Sequence, residues 1–206
     1  MDIATFPLGP LQTNCYVLAN GGEAVAVDPG GDPAVVLKHL DAEGLTLTAI
    51  LNTHLHFDHT GGNKALSEAT GAPILASDAD GYLLDSWMGK GGDMGVPPVP
   101  PYVWRNLEPG ETVFAGARCA VFRTPGHSPG SLTFHFPEAG AAFVGDLIFY
   151  RSIGRTDFPG GDLDVLKRSV EEHIFTLPPE TRLLSGHGPE TTVADERNHN
   201  PFLGGF

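Results

Sequence analysis

The 206-residue sequence is poor in cysteine, in positive charge and in long apolar runs, and each shortage removes a class of function. Cys15 and Cys119 are the two cysteines, far apart and in no CxxC pair. That excludes a disulfide-stapled scaffold and fits a reducing compartment. Lys and Arg number 12 against 25 Asp and Glu, a formal net charge of -13. Nucleic-acid partners select basic surfaces, so none is expected. No apolar run approaches the length of a membrane span, so no membrane association is expected. The start, Met1-Asp2-Ile3-Ala4-Thr5-Phe6-Pro7, has no basic stretch followed by an apolar one, so no secretory signal is expected and the cytoplasm is the expected location.

What is present is ordinary globular composition, 41% hydrophobic and 18% charged, with many turn formers (Gly 27, Pro 18). The length suits one compact domain over residues 1–206. Asn14 to Ala19 and Glu23 to Val27 read as strands joined by the hairpin signal Asn20-Gly21-Gly22. Asp28-Pro29-Gly30-Gly31 breaks that pattern. Asp32-Pro33 opens a helix with Asp as N-cap, Val36, Leu37 and Leu40 on its apolar face, and Gly44 at its end. Leu47 to Asn52 and Pro73 to Ala76 read as strands, Lys64 to Ala69 and Asp78 to Trp87 as helices. Gly89 to Pro101 holds four Gly and four Pro and reads as an irregular, mobile loop. Arg118 to Arg123, Ser131 to Phe136, Ala141 to Val144 and Arg182 to Ser185 read as strands. Leu163, Leu166, Val170 and Ile174 recur at helical spacing, and Ala194 to Arg197 forms a short last helix. Runs of strands with helices at intervals predict two packed sheets covered by helices outside.

The chemistry concentrates in Thr53-His54-Leu55-His56-Phe57-Asp58-His59. His54 and His56, two apart at a strand end, point the same way. Asp58 and His59 fall where the chain turns ahead of Thr60-Gly61-Gly62 and aim at a second point close by. His127 lies in the rigid turn Thr124-Pro125-Gly126-His127-Ser128-Pro129-Gly130. Asp146 follows Gly145, and His187 sits in Ser185-Gly186-His187-Gly188. Each candidate stands after a strand, flanked by small residues, as a site on the rim of a sheet requires. His39, His135, His173 and His199 share no such context and read as ordinary surface or core residues.

Imidazole and carboxylate donors without thiolate suit two divalent metal ions: zinc first, with iron or manganese also accepted. Five His and two Asp fill two sites if Asp146 bridges. Two ions roughly 3.5–4 Å apart can share one hydroxide and lower its pKa towards neutrality, which makes a nucleophile for a carbonyl carbon.

In this motif set the chain resembles the metallo-β-lactamase superfamily, with His54 to His59, His127, Asp146 and His187 in family order. The resemblance implies an αββα sandwich, two mixed sheets packed face to face with helices outside and the site at one edge. It implies that His54, His56 and His127 hold one metal, that Asp58, His59 and His187 hold the other, and that Asp146 is shared. Asp58 and Asp146 would then be the catalytic carboxylates, Asp58 also accepting a proton.

Within the superfamily the chain is most similar to short bacterial glyoxalase II-like hydrolases. Pro10-Leu11-Gln12-Thr13-Asn14-Cys15, Gly154-Arg155-Thr156-Asp157-Phe158 and Asn200-Pro201-Phe202-Leu203 carry that likeness. It implies hydrolysis of a small thioester such as S-lactoylglutathione. The larger glyoxalase II enzymes have Gly-Lys-Phe-Tyr where this chain has Gly154-Arg155-Thr156-Asp157. Arg155 is therefore the expected substrate-binding residue, a bidentate clamp for a carboxylate, with an ion pair to Asp157 as the competing role. The same stretch also resembles persulfide dioxygenases, which use one iron. β-Lactam hydrolysis is a third reading, disfavoured by the expected location.

Overall fold

A computed structural model describes residues 1–93 and 95–203. Met94, within the expected 89–101 loop, and the last three positions of the 1–206 domain lie outside the described residues. The first sheet is built in chain order from β1 (Asp2–Leu8), β2 (Thr13–Asn20), β3 (Glu23–Val27), β4 (Thr46–Leu51), β5 (Ile74–Ala76) and β6 (Arg105–Asn106). β1, β2 and β3 are antiparallel neighbours, and β3 to β6 run parallel. The second sheet uses β7 (Gly110–Phe114), β8 (Ala117–Arg123), β9 (Leu132–Phe136), β10 (Ala141–Gly145), β13 (Arg182–Ser185) and β14 (Thr191–Thr192). Its order is β14-β13-β10-β9-β8-β7, and β10 with β13 is its parallel pair. Between β10 and β13 lies a short ribbon of β11 (Ile148–Phe149) and β12 (Ser152–Ile153).

Alternation of side chains builds the layers. Leu18, Val25, Val27 and Leu51 of the first sheet meet Val121, Phe134, Phe143 and Leu184 of the second, in a core between the sheets. Their neighbours Val17, Ala24, Ala26 and Ile50 face the other way, onto Val36 and Leu40 of helix α1 (Ala34–Ala42) and Leu66 of α3 (Asn63–Thr70). On the far side Ala142, Val144 and Leu183 pack on Leu166 of α5 (Leu163–Ser169), on Val170 and Ile174 just after it, and on Val193 of α6 (Val193–His199). The inner strands β3, β4 and β10 are thus covered on two faces, which is why they read as near-continuous apolar runs. The architecture is the expected αββα sandwich. Cys15 and Cys119 are buried and free. Among the described residues no helix is long and apolar enough to cross a membrane.

The local differences have physical causes. The helix expected over Asp78 to Trp87 is a 3₁₀ segment, Asp78–Asp85, broken at Ser86 by extended backbone before α4 (Trp87–Lys90) begins. Asp80 is drawn inward by hydrogen bonds from Leu55, Ser128 and Gly130, and those bonds hold the segment. The helix after Asp162 runs seven residues and then widens into a π turn over Val170–Ile174. The 89–101 loop has more order than its Gly and Pro content predicts. α4 takes its first two residues, Gly91 pairs with Pro98, and Val99 N–H donates to the Lys90 carbonyl. β1 and β7 are edge strands that weak alternation concealed.

Candidate metal centre

The site lies where strand ends of both sheets meet. The chain leaves β4 at Leu51, bends at Thr53 and His54, passes His56 in extended form, and turns into α2 (Phe57–Thr60) with Asp58 and His59. The 124–131 turn between β8 and β9 carries His127. β10 and β13 are parallel with Gly145 opposite Ser185, so Asp146 and His187 leave adjacent strands side by side. Two glycines make the approach feasible. Gly145 has a φ of +51°, and a Cβ there would sit 2.7 Å from Thr53 Cβ. At Gly186 a Cβ would strike the Asp146 carboxylate and the His59 ring.

All seven expected ligand candidates converge. Donor atoms of His54, His56 and His127 lie within 4.8 Å of one another, as do those of Asp58, His59 and His187. A third group of the same tightness joins His54, His59 and Asp146. His56 Nδ1 is 3.0 Å from His127 Nε2, and His187 Nε2 is 3.1 Å from Asp58 Oδ2. Asp146 stands between the groups. Its Oδ1 is 3.4 Å from His59 Nε2, and its Oδ2 is 3.7 Å from both His127 Nε2 and His187 Nε2.

The residues fit a pair of ions. His54 Nε2, His56 Nε2, His59 Nε2 and Asp146 Oδ1 are buried without a hydrogen-bond partner. Such atoms cost about 1–3 kcal/mol each when left unmet, and four within one cluster of His and Asp is the donor set divalent metals take. The opposite ring nitrogens are fixed. His59 Nδ1 donates to Asp28 Oδ2 at 2.9 Å, and His127 Nδ1 donates to the Arg155 carbonyl at 2.7 Å. His54 Nδ1 lies 3.0 Å from Thr53 Oγ1, whose own proton goes to Asp28 Oδ2 at 2.6 Å. Three imidazoles are thereby set in the tautomer that leaves Nε2 for a metal. Thr13 Oγ1 donates to Asp58 Oδ2 at 3.1 Å, and Tyr16 Oη and Asn14 Nδ2 fasten the Ser185 carbonyl beneath His187.

Charge is divided unevenly over the cluster. Burial, reinforced by neighbouring imidazoles, lowers His54 well below the usual range and His56 to about 3. Burial also opposes charge on His59, but Asp58, Asp146 and Asp28 outweigh it and raise that group well above the ordinary value. His187 is raised in the same way by Asp58 and Asp146, against its partial burial. Burial works to raise Asp58 and Asp146, yet His59 and its neighbours win and hold both carboxylates lowered.

Asp28 and Asp80 are functional supports that reading the sequence for ligands missed. Asp28 ends a buried strand before Pro29-Gly30-Gly31. A carboxylate closing an apolar run was the available signal. Asp80 joins Leu55 to the 127–130 turn from a 3₁₀ segment, with no local signal at all.

Beside the cluster opens a cavity of about 440 Å³, lined by His56, Asp58, Asp146 and His187 at its floor. Arg155 lines the same cavity. Its guanidinium, however, donates to Asp157 through both Nε and Nη2 at 2.7 Å and lies 3.8 Å above the Phe158 ring.

Comparison with known proteins places this geometry. Residues 8–187 match the family model of the metallo-beta-lactamase superfamily. A probable metallo-hydrolase, YqgX of Bacillus subtilis, is 37% identical, the match covering 97% of this chain and 96% of the relative. The hydroxyacylglutathione hydrolase GloC of Haemophilus influenzae is 32% identical over 98% of both chains. Among solved structures, the BLEG-1 B3 metallo-beta-lactamase is 39% identical with a TM-score of 0.91, covering 99% of this chain and 100% of that one. TTHA1623, solved in a di-iron-bound form, is 40% identical with a TM-score of 0.86, over 97% and 100%. With its strand-end histidines, its central Asp146 and this breadth of likeness, the chain belongs to the metallo-beta-lactamase superfamily and is a metal-dependent hydrolase of that fold.

Proposed function

We propose that the protein hydrolyses small thioesters, with an S-2-hydroxyacylglutathione as the first candidate substrate, using two divalent ions. The position of Asp146 carries the two-ion part: its oxygens face both groups of histidines. Likeness to a hydroxyacylglutathione hydrolase across nearly the full length supports the thioester part. His54, His56 and His127 would hold one ion, Asp58, His59 and His187 the second, and Asp146 both. Zinc suits these donors, and iron is equally compatible, given the di-iron relative of the same fold. When bound, such a pair supplies Lewis acidity and a water made nucleophilic near neutral pH.

The chain's own residues do the rest. Water oxygen adds to the thioester carbonyl carbon, the C–S bond breaks, and its electron pair leaves on sulfur. Asp58, at the cavity floor and fixed by the Thr13 hydroxyl, is placed to accept the proton that water gives up and to return it to the departing sulfur. The Asp28–Thr53 pair keeps His54 and His59 from turning.

The test is metal analysis of the purified protein together with thiol release from S-lactoylglutathione. About two ions per chain with release of one thiol per ester is the expected result. A single iron with oxygen uptake on glutathione persulfide would instead establish the dioxygenase reading. β-Lactam hydrolysis has a specific observation in its favour, the fold-level match to a B3 enzyme, and a chromogenic cephalosporin in the same panel decides it.

A further inference from the structure

The cavity beside the metal cluster has two unlike parts. The ligand candidates make its polar floor, and Leu11, Phe57, Trp87, Met88, Val96 and Phe158 make an apolar wall. Three rings of that wall form a chain of contacts leading away from the floor. Phe158 meets His56 edge-on at 5.8 Å, Trp87 meets Phe158 edge-on at 5.9 Å, and Phe57 lies 6.4 Å from Trp87. Trp87 is nonetheless 42% exposed. A large ring left in water at a cavity of about 440 Å³ is surface that a ligand's own apolar group covers on binding.

A thioester bound over the floor sends two arms into this cavity, the acyl group and the thiol. The thiol arm of a glutathione ester is a polar tripeptide that carries carboxylates. Arg155 is the cation among the described lining residues, and Asp157 takes its Nε and Nη2 edge but leaves Nη1. A carboxylate of the thiol arm can use that remaining edge. The wall, by contrast, offers a tripeptide little to hydrogen-bond, since the Trp87 indole N–H is its one side-chain donor. It suits the acyl arm instead. A lactoyl group brings a lone methyl there, which covers little of Trp87 and Phe158. An aryl ring packs against both, by edge or by face.

We infer that the preferred acyl group is a 2-hydroxyacyl group bearing an aryl ring, and that Trp87 is the residue that selects it over lactoyl. The inference rests on the thioester reading above and narrows it. The thiol arm and the hydrolytic step stay as proposed there. What is added is the place of the substituent next to the carbonyl, against Trp87 and Phe158.

The experiment compares two esters that share one thiol. The metal-loaded protein is assayed for thiol release from S-mandeloylglutathione and from S-lactoylglutathione, with kcat and KM taken for each. The mandeloyl ester is expected to have a kcat/KM at least about tenfold higher, the scale set by even one methylene in an apolar pocket. Trp87→Ala should cut that ratio about tenfold, mainly through KM of the mandeloyl ester, and Trp87→Phe should keep most of it. A ratio taken within one variant does not depend on the fraction folded. A lactoyl kcat/KM equal to or above the mandeloyl value would overturn the inference and leave the thioester reading standing. An unchanged ratio in Trp87→Ala would overturn it too. Calorimetry with S-benzylglutathione and S-methylglutathione, which have no ester bond, runs in parallel. If neither ester is hydrolysed, the thioester reading falls. Binding of the benzyl ligand about tenfold more tightly would then still support an aryl subsite at Trp87, and equal binding would overturn it.

Discussion

The backbone carbonyl of Arg155 accepts a hydrogen bond from His127 Nδ1 at 2.7 Å, so the segment that carries the rim cation also orients a metal-ligand candidate. Main chain and side chain of one residue thereby serve different ends. Arg155→Ala removes the Asp157 pair but keeps the carbonyl. Metal content measured by elemental analysis should be unchanged in that variant. At Gly154 the outcome should differ, because a Cβ there would strike the Asp146 carbonyl and lie 3.3 Å from His127 Nδ1. Gly154→Ala should therefore lose metal while the fold is retained by circular dichroism. Full metal occupancy in Gly154→Ala would show that this turn has slack the packing does not suggest.

Asp28 offers a second test. It is 2% exposed and holds both the Thr53 hydroxyl and the His59 ring. Asp28→Asn keeps the volume but replaces one acceptor oxygen with a donor, which cannot receive the proton of His59 Nδ1 or Thr53 Oγ1. Removal of a carboxylate that orients a ligating histidine typically weakens metal affinity by roughly 10–100-fold. Competition against a chromogenic chelator measures this. Wild-type affinity in Asp28→Asn would mean that packing alone sets the His59 ring.

What could be read from the sequence follows the range of the interactions involved. His54, His56, Asp58 and His59 crowd into six positions, and their small-residue context marks His127, Asp146 and His187 as strand-end residues. The layered fold was equally visible, because Val25, Val27, Leu51 and Phe143 sit in short apolar runs of the kind a doubly covered sheet produces. Asp80 was not visible. Its role comes from Leu55, Ser128 and Gly130 meeting it across the fold, and a lone Asp in a helical-looking segment carries no mark of that. The cavity wall was hidden for the same reason. Leu11, Trp87 and Phe158 come from three distant segments and meet only in space.

The metal-free protein should bind its two ions with unlike pH dependence. His59 and His187 are raised by the carboxylates around them, so each keeps a proton to higher pH than a free imidazole. An ion entering between Asp58, His59 and His187 must displace those protons. Its affinity is therefore lost as pH falls through the raised values. His54 and His56 are lowered, His56 to about 3, and stay neutral through the same window. Zinc titrations at about pH 6 and about pH 8, in buffers of different ionisation enthalpy, read both affinity and protons released. The step that weakens at low pH should be the one that releases more protons. Two steps with identical proton release would contradict this division.

Asp146 gives the strictest test of the two-ion arrangement. Its Oδ1 lies 3.4 Å from His59 Nε2 and its Oδ2 3.7 Å from His127 Nε2, one contact on each group of histidines. Asp146→Ala removes a donor from both ions at once, and it withdraws the negative charge that offsets their mutual repulsion. Metal content should fall below one ion per chain, with loss of turnover by a factor of at least about 10³. Asp146→Asn is the informative companion, since an amide keeps the shape and one weak donor oxygen but carries no charge. If it recovers one ion without recovering turnover, the bridging charge and not the mere presence of an oxygen is what the site requires. Retention of two ions and near-normal turnover in Asp146→Ala would show that the two groups of histidines are independent, and the shared carboxylate would have to be abandoned.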